Sequence, residues 1–157
     1  MNRYPVKAVV NGQRVEVDVD PRRTLAAMLR EELGLTGTHV GCRTGNCGAC
    51  TVTLDGATVK ACCVLAPEAD GRTIETIEAL SADGELHPLQ KAFSDRQALQ
   101  CGFCTPGMVM SARALLEANP APSEEEIRTG LKGHLCRCTG YHSIIRAVES
   151  CGESTQA

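Results

Sequence analysis

The chain has 157 residues, 43% of them hydrophobic and 22% charged, with a formal net charge of −3. That length allows one ordinary domain or two small ones, and the mild acidity leaves no electrostatic footprint for nucleic acid or an anionic membrane. Ten cysteines stand against two tyrosines, two phenylalanines and no tryptophan, so an aliphatic core short of large side chains gains most from cross-linking by metal.

The opening MNRYPVKAVVNG carries no apolar signal region, and no stretch approaches transmembrane length, so a cytoplasmic location without membrane insertion is the expectation. Disulfides are reduced in that compartment, which turns the cysteines toward metal ligation or redox chemistry. Val6, Ala8 and Val10 alternate with polar neighbours, Asn11-Gly12 supplies a two-residue turn, and Val15, Val17 and Val19 alternate again, which predicts a hairpin. Asp20-Pro21 ends it. Thr24 then caps a helix carrying Leu25, Met28, Leu29 and Leu33 and closed by Gly34. A loop dense in Gly and Cys follows from Gly37 to Cys50, and Thr51–Leu54, Asp55-Gly56 and Ala57–Val64 read as a second hairpin.

From about Ile77 the hydrophobic period changes to 3.6. Helices are expected over Pro88–Ala98, with Leu89 and Phe93 on one face, and over Thr105–Glu117, with Met108, Val109, Ala112, Leu115 and Leu116. Ser123 and Glu126 form a capping box ahead of Ile127 and Leu131, and Tyr141–Ser150 brings Ile144, Ile145 and Val148 together. The expected fold is α+β: a plant-type, ferredoxin-like β-grasp domain over residues 1–78, then a compact four-helix bundle over residues 79–157.

Cys42-x4-Cys47-x2-Cys50, with Cys62 further on, is the plant-type ferredoxin spacing for a [2Fe–2S] cluster. Three thiolates on one loop must converge on an anionic core, and Gly41, Gly45 and Gly48 permit the tight curl. A structural zinc site usually takes two separated Cys pairs instead. The fourth ligand is Cys62 or its neighbour Cys63. In a continuous strand Val59, Ala61 and Cys63 share one face and Lys60, Cys62 and Val64 the other. If the valine-alanine face is the core, Cys63 is a small buried hydrophobe and Cys62 meets the loop.

Cys101-x2-Cys104 and Cys136-x-Cys138 supply a second four thiolates, for which zinc competes on spacing alone. Thr105-Pro106 reads as an N-cap followed by Pro at N1, and Thr139 as the cap of the helix entering Tyr141. Both pairs then sit ahead of positive helix ends, which favour an anionic occupant. Arg137, between two of these cysteines, is either a solvated cation or a partial neutraliser of the site. His134-x-Cys136 reads as a capping or surface histidine rather than a metal pair, and Cys151 as a spare thiol past the last helix. No phosphate-binding loop and no nucleophile-base pair is evident.

GCRTGNCGACTV (Gly41 to Val52), QCGFCTPGM (Gln100 to Met108) and LCRCTGY (Leu135 to Tyr141), in that order and with family spacing over nearly the whole chain, resemble the small iron–sulfur subunit of the molybdenum hydroxylase (xanthine oxidase) family. Its members include aerobic carbon monoxide dehydrogenase and 4-hydroxybenzoyl-CoA reductase. The resemblance implies an electron-transfer subunit of an oxidoreductase complex with two [2Fe–2S] clusters and no catalytic residue of its own. Cys42, Cys47, Cys50 and Cys62 would hold the first cluster, and Cys101, Cys104, Cys136 and Cys138 the second. It also implies a large partner subunit holding molybdenum on a molybdopterin dinucleotide, and usually a medium subunit holding FAD. Electrons would pass from molybdenum through the helical-domain cluster and then the ferredoxin-like cluster to FAD. Gln100 and Cys138 would contact the pterin across the subunit boundary; read alone, Gln100 is an ordinary polar residue at a helix end. A free-standing two-cluster ferredoxin is the rival reading, and a zinc-stapled interaction module a third.

Overall fold

The computed structural model describes residues 3–81 and 84–153. Strands β1 (Tyr4–Val10) and β2 (Gln13–Val19) form the first hairpin, with Val10 opposite Gln13 and Val6 opposite Val17. Its turn residues Asn11 and Gly12 both have positive φ, 52° and 77°, the backbone that lets a two-residue turn follow the strands' right-handed twist. Helix α1 (Leu25–Ala27) opens under a hydrogen bond from the Ala27 N–H to the Thr24 hydroxyl and runs on as a π-helical turn over Met28–Glu32. Strands β3 (Thr51–Leu54) and β4 (Ala57–Lys60) form the second hairpin around Asp55-Gly56. Strand β5 (Thr73–Glu75) then enters between the hairpins, parallel to β1 and antiparallel to β3.

The resulting order, β2-β1-β5-β3-β4, is that of a β-grasp sheet. Its core gathers Val6, Val19, Leu25, Met28, Leu29, Val52 and Ile74 between the sheet and α1. The second hairpin is shorter than its sequence suggests. Strand β4 stops at Lys60 and the chain coils into a 3-10 turn over Ala61–Cys63.

Four α-helices follow: α2 (Pro88–Asp95), α3 (Thr105–Ala118), α4 (Glu124–Gly130) and α5 (His142–Glu153). They enclose a separate core of Leu89, Phe93, Met108, Met110, Ile127 and Ile144. Ser123 caps α4 through Glu126 N–H, and the Glu126 carboxylate returns to Ser123 N–H at 2.7 Å, the reciprocal box the sequence suggests. Cys151 lies inside α5, packed against this core, rather than beyond the helix.

The two cores meet at α3, which lies against β3 and β4. There Gly107 faces the carbonyl of Gly48 and the backbone of Ala49 so closely that a Cβ would have no room. The approach brings the loop ending in Cys50 up to the start of α3, one turn beyond Cys104.

Candidate iron–sulfur sites

The Gly37–Cys50 loop curls so that backbone donors face sulfur. The N–H groups of Thr44 and Cys47 both point at Cys42 Sγ, each at 3.4 Å. Hydrogen bonds from Thr44 and Cys47 pull the Cys42 thiol down to about 6. Gly45 and Gly48 adopt φ of 78° and 74°, and a Cβ at Gly41 would lie 3.1 Å from Cys47 Sγ, so the curl needs bare backbone. Cys50 and Cys62 are buried together beneath the loop, and burial, with Cys62 alongside, pushes the Cys50 thiol up to about 12.

The turn at Ala61–Cys63 corrects the face argument for the adjacent cysteines. Cys63 is exposed and Cys62 is 7% exposed, the reverse of a strand whose Val59-Ala61 face is core. The 3-10 turn breaks the alternation on which that argument depends. Cys62 reaches the Cys50 side from within the core, while Cys63 Sγ lies 3.7 Å from Cys62 Sγ and over Gly45.

The second group forms where the loop after α2, the start of α3 and the loop before α5 converge. Cys138 Sγ is 3.5 Å from Cys101 Sγ, both exposed, while Cys104 and Cys136 pair behind them, half-buried. Burial drives the Cys104 thiol up to about 12. Burial also raises Cys136, but hydrogen bonds from Thr139 outweigh it and the net shift is downward. Thr139 N–H lies 3.5 Å from Cys136 Sγ and its hydroxyl 3.1 Å.

Two capping assignments change. Cys104, not Thr105, occupies the N-cap position of α3; Thr105 is already helical and its hydroxyl is buried without a hydrogen bond among the described residues. Thr139 accepts from Tyr141 N–H at 3.2 Å, but Tyr141 has φ of 71° and α5 begins after it, so Thr139 shapes the turn instead of capping the helix. Gln100 lies in the loop between α2 and α3, not at a helix end, and donates from Nε2 to the carbonyl of Cys138 at 3.1 Å.

His134 departs most from its expected surface role. It is 5% exposed, and its Nε2 lies 2.8 Å from Ser111 Oγ, 3.0 Å from Thr51 Oγ1 and 3.2 Å from Lys60 Nζ. Burial and the Lys60 cation hold its imidazole down at about 4, so it stays neutral. Nε2 must then accept from the ammonium, which leaves the ring proton on Nδ1. Sequence patterns carry no signal for this cluster, because Thr51 and His134 lie 83 positions apart.

Among the described residues no group of three His, Cys, Asp or Glu side chains is placed to hold a single metal ion. The thiols come instead in twos: Cys42 with Cys47, Cys50 with Cys62, Cys101 with Cys138, and Cys104 with Cys136. Two irons carrying two thiolates each require that arrangement, and none of these eight cysteines is held in a disulfide. An all-thiol set on a β-grasp loop and another among helix ends define an iron–sulfur protein with two centres.

Residues 8–81 match the 2Fe-2S iron-sulfur cluster binding domain and residues 76–149 match the [2Fe-2S] binding domain. The chain is 55% identical over 147 residues to the nicotine 6-hydroxylase small subunit of Paenarthrobacter nicotinovorans, aligning 94% of this chain with 88% of that protein. It is 47% identical over 142 residues to the aldehyde oxidoreductase of Megalodesulfovibrio gigas, where 88% of this chain corresponds to 16% of that larger protein. In the crystal structure of quinoline 2-oxidoreductase from Pseudomonas putida 86, a chain of 47% identity superposes with a TM-score of 0.95 over 98% of this chain and 96% of that one. The chain belongs to the small iron–sulfur subunits of the molybdenum hydroxylase family. It is an electron-transfer subunit of a multi-subunit oxidoreductase, and its cofactors are two [2Fe–2S] clusters.

Proposed function

We propose that Cys42, Cys47, Cys50 and Cys62 hold the first cluster and Cys101, Cys104, Cys136 and Cys138 the second, with the chain dividing into its two domains between residues 78 and 79. Bound there, each [2Fe–2S] centre takes up and gives up one electron. The residues around the thiols set the conditions for that exchange. Thr44, Cys47 and Thr139 turn N–H groups toward sulfur, and burial of Cys50 and Cys62 keeps water from the inner side of the first site.

The second set faces a large subunit carrying molybdopterin, and the first set faces a medium subunit carrying FAD. The observation that carries this orientation is the open edge of the second site. Cys101, Cys138 and Gln100 are all exposed there, with Phe103 47% and Leu135 61% exposed nearby. Apolar side chains around a redox centre suit a surface that another subunit covers. Gln100, tied to the Cys138 carbonyl through one amide proton, has its second N–H and its carbonyl oxygen left to meet a polar cofactor edge.

Substrate choice rests with the large subunit. The chain matches one chain of quinoline 2-oxidoreductase and a 142-residue part of aldehyde oxidoreductase at 47% identity each, enzymes named for unlike substrates, which supports a role for this chain apart from substrate choice. No helix among the described residues is long and apolar enough to cross a membrane. A cytoplasmic setting, where thiols are kept reduced, fits cysteines committed to iron.

Iron and labile-sulfide analysis of the purified complex tests the ligand assignment. About four irons and four sulfides per copy of this chain are expected, with two paramagnetic signals on reduction; zinc at either site overturns it. Co-purification with a molybdenum subunit tests the partner, and a monodisperse, fully active chain without one would favour the free ferredoxin.

A further inference from the structure

We infer that Lys60 is the fixed cation of the first centre, and that its ammonium, clamped between Thr51 and His134, raises that centre's reduction potential. This rests on the ligand assignment proposed above.

Lys60 ends β4, two residues ahead of Cys62, and pairs in register with Thr51, which follows Cys50. Its Nζ donates to Thr51 Oγ1 at 2.8 Å and to His134 Nε2 at 3.2 Å. The Thr51 hydroxyl spends its own proton on the carbonyl of Gly48 at 2.7 Å, so its oxygen is oriented to receive the ammonium. The cation is therefore held from both domains and cannot swing out as a surface lysine does.

A [2Fe–2S] core with four thiolates is anionic when oxidised and gains one further negative charge when reduced. A fixed positive charge attracts the reduced form more strongly, and a half-buried site screens it less than water would. The second set has no equivalent of this clamp in its most obvious cation. Arg137, between Cys136 and Cys138, is exposed, as is Arg43 beside Cys42, and solvent weakens both.

The test is a redox titration followed by paramagnetic resonance on the intact complex, comparing wild type with Lys60→Met, Lys60→Gln and Lys60→Arg. The signal lost in Cys47→Ser identifies the first centre. In Lys60→Met the ratio of reduced to oxidised first centre at a fixed potential should fall about tenfold, ~59 mV for a one-electron couple. The second centre should move by less than a third of that, Lys60→Gln should follow Lys60→Met, and Lys60→Arg should regain most of the shift. An unmoved first centre overturns the inference. So does an equal fall at both centres, a Lys60→Arg variant as low as Lys60→Met, or loss of the first centre in both neutral variants, which would make Lys60 a structural requirement. Wild type lacking two [2Fe–2S] signals would instead sink the ligand assignment beneath it.

Discussion

The backbone N–H of Leu135 donates to the carbonyl oxygen of Cys47 at 2.9 Å. Leu135 directly precedes Cys136, so one hydrogen bond links a cysteine of the first set to the neighbour of a cysteine in the second. Phe103 adds a second tie. Its ring stacks on His39 at 4.8 Å between centroids, and its carbonyl meets His39 Nδ1 at 2.8 Å. Both ties join loops that carry thiols, so the separation of the two sets is held by direct contacts between those loops.

Substitution of the adjacent cysteines separates their roles. Cys62→Ser should abolish the first centre's paramagnetic signal, because a hydroxyl would replace a buried thiol assigned to that centre. Cys63→Ser should leave that signal intact, and its exposed position limits the stability change to within about 0.5 kcal/mol. Loss of the signal in Cys63→Ser with retention in Cys62→Ser would exchange the two assignments.

The packing of Gly107 against Gly48 can be probed with a methyl group. Gly107→Ala forces that methyl into backbone that cannot retreat and should cost about 1–3 kcal/mol in denaturant unfolding. Gly130→Ala is the comparison. Its new Cβ meets only the flexible Leu115 side chain at 3.0 Å, and the change should stay within about 1 kcal/mol. Equal costs at the two positions would mean that the seam between the cores is not tightly packed.

Gln100→Ala should slow reduction of both centres by substrate while leaving both assembled, since Gln100 adjoins Cys101 and bonds the Cys138 carbonyl without offering a thiol. Rapid-mixing absorbance measures the rate, and iron content measures assembly. Wild-type reduction rates in this variant would remove Gln100 from the pterin contact.

Cys47→Ser makes a different lesion. Substrate should still reduce the second centre, but electrons should fail to reach FAD or an external acceptor. Should the variant block reduction of the second centre yet spare the flavin, the order of the relay is reversed.

Much of this architecture is legible because its signals are local. Asn11-Gly12 and Asp55-Gly56 take up the positive φ that two-residue hairpins demand, and Ser123 with Glu126 closes its box within one helical turn. The thiol motifs are legible for the same reason, since Cys42, Cys47 and Cys50, Cys101 with Cys104, and Cys136 with Cys138 are each spaced within a few residues, although the pairs that meet across the second site come from separate motifs. Illegible features arise between distant residues or from a change of local geometry. His134 looks like a surface histidine until Thr51, Lys60 and Ser111 close around it from other elements. The adjacent Cys62 and Cys63 give no sign that their strand has ended, because a 3-10 turn of three residues has no period to read. Thr105 resembles a cap for the same reason: Thr-Pro marks a helix start but not which residue is half outside it.

The position of β5 has a consequence for how the chain can be made. Strand β5 is the last segment of the sheet in sequence yet lies at its centre, between β1 and β3. A growing chain that has reached Cys62 therefore holds two hairpins with nothing between them, although all the thiols assigned to the first centre have already been synthesised. Val9 and Val10 must wait for Thr73 and Ile74, and so must Thr53 and Leu54 for Glu75 and Ile74. Such pairing across more than sixty residues for β1 is the slow, non-local kind. A chain cut before Thr73 would keep every one of those cysteines and lose the strand that brings their two supports together.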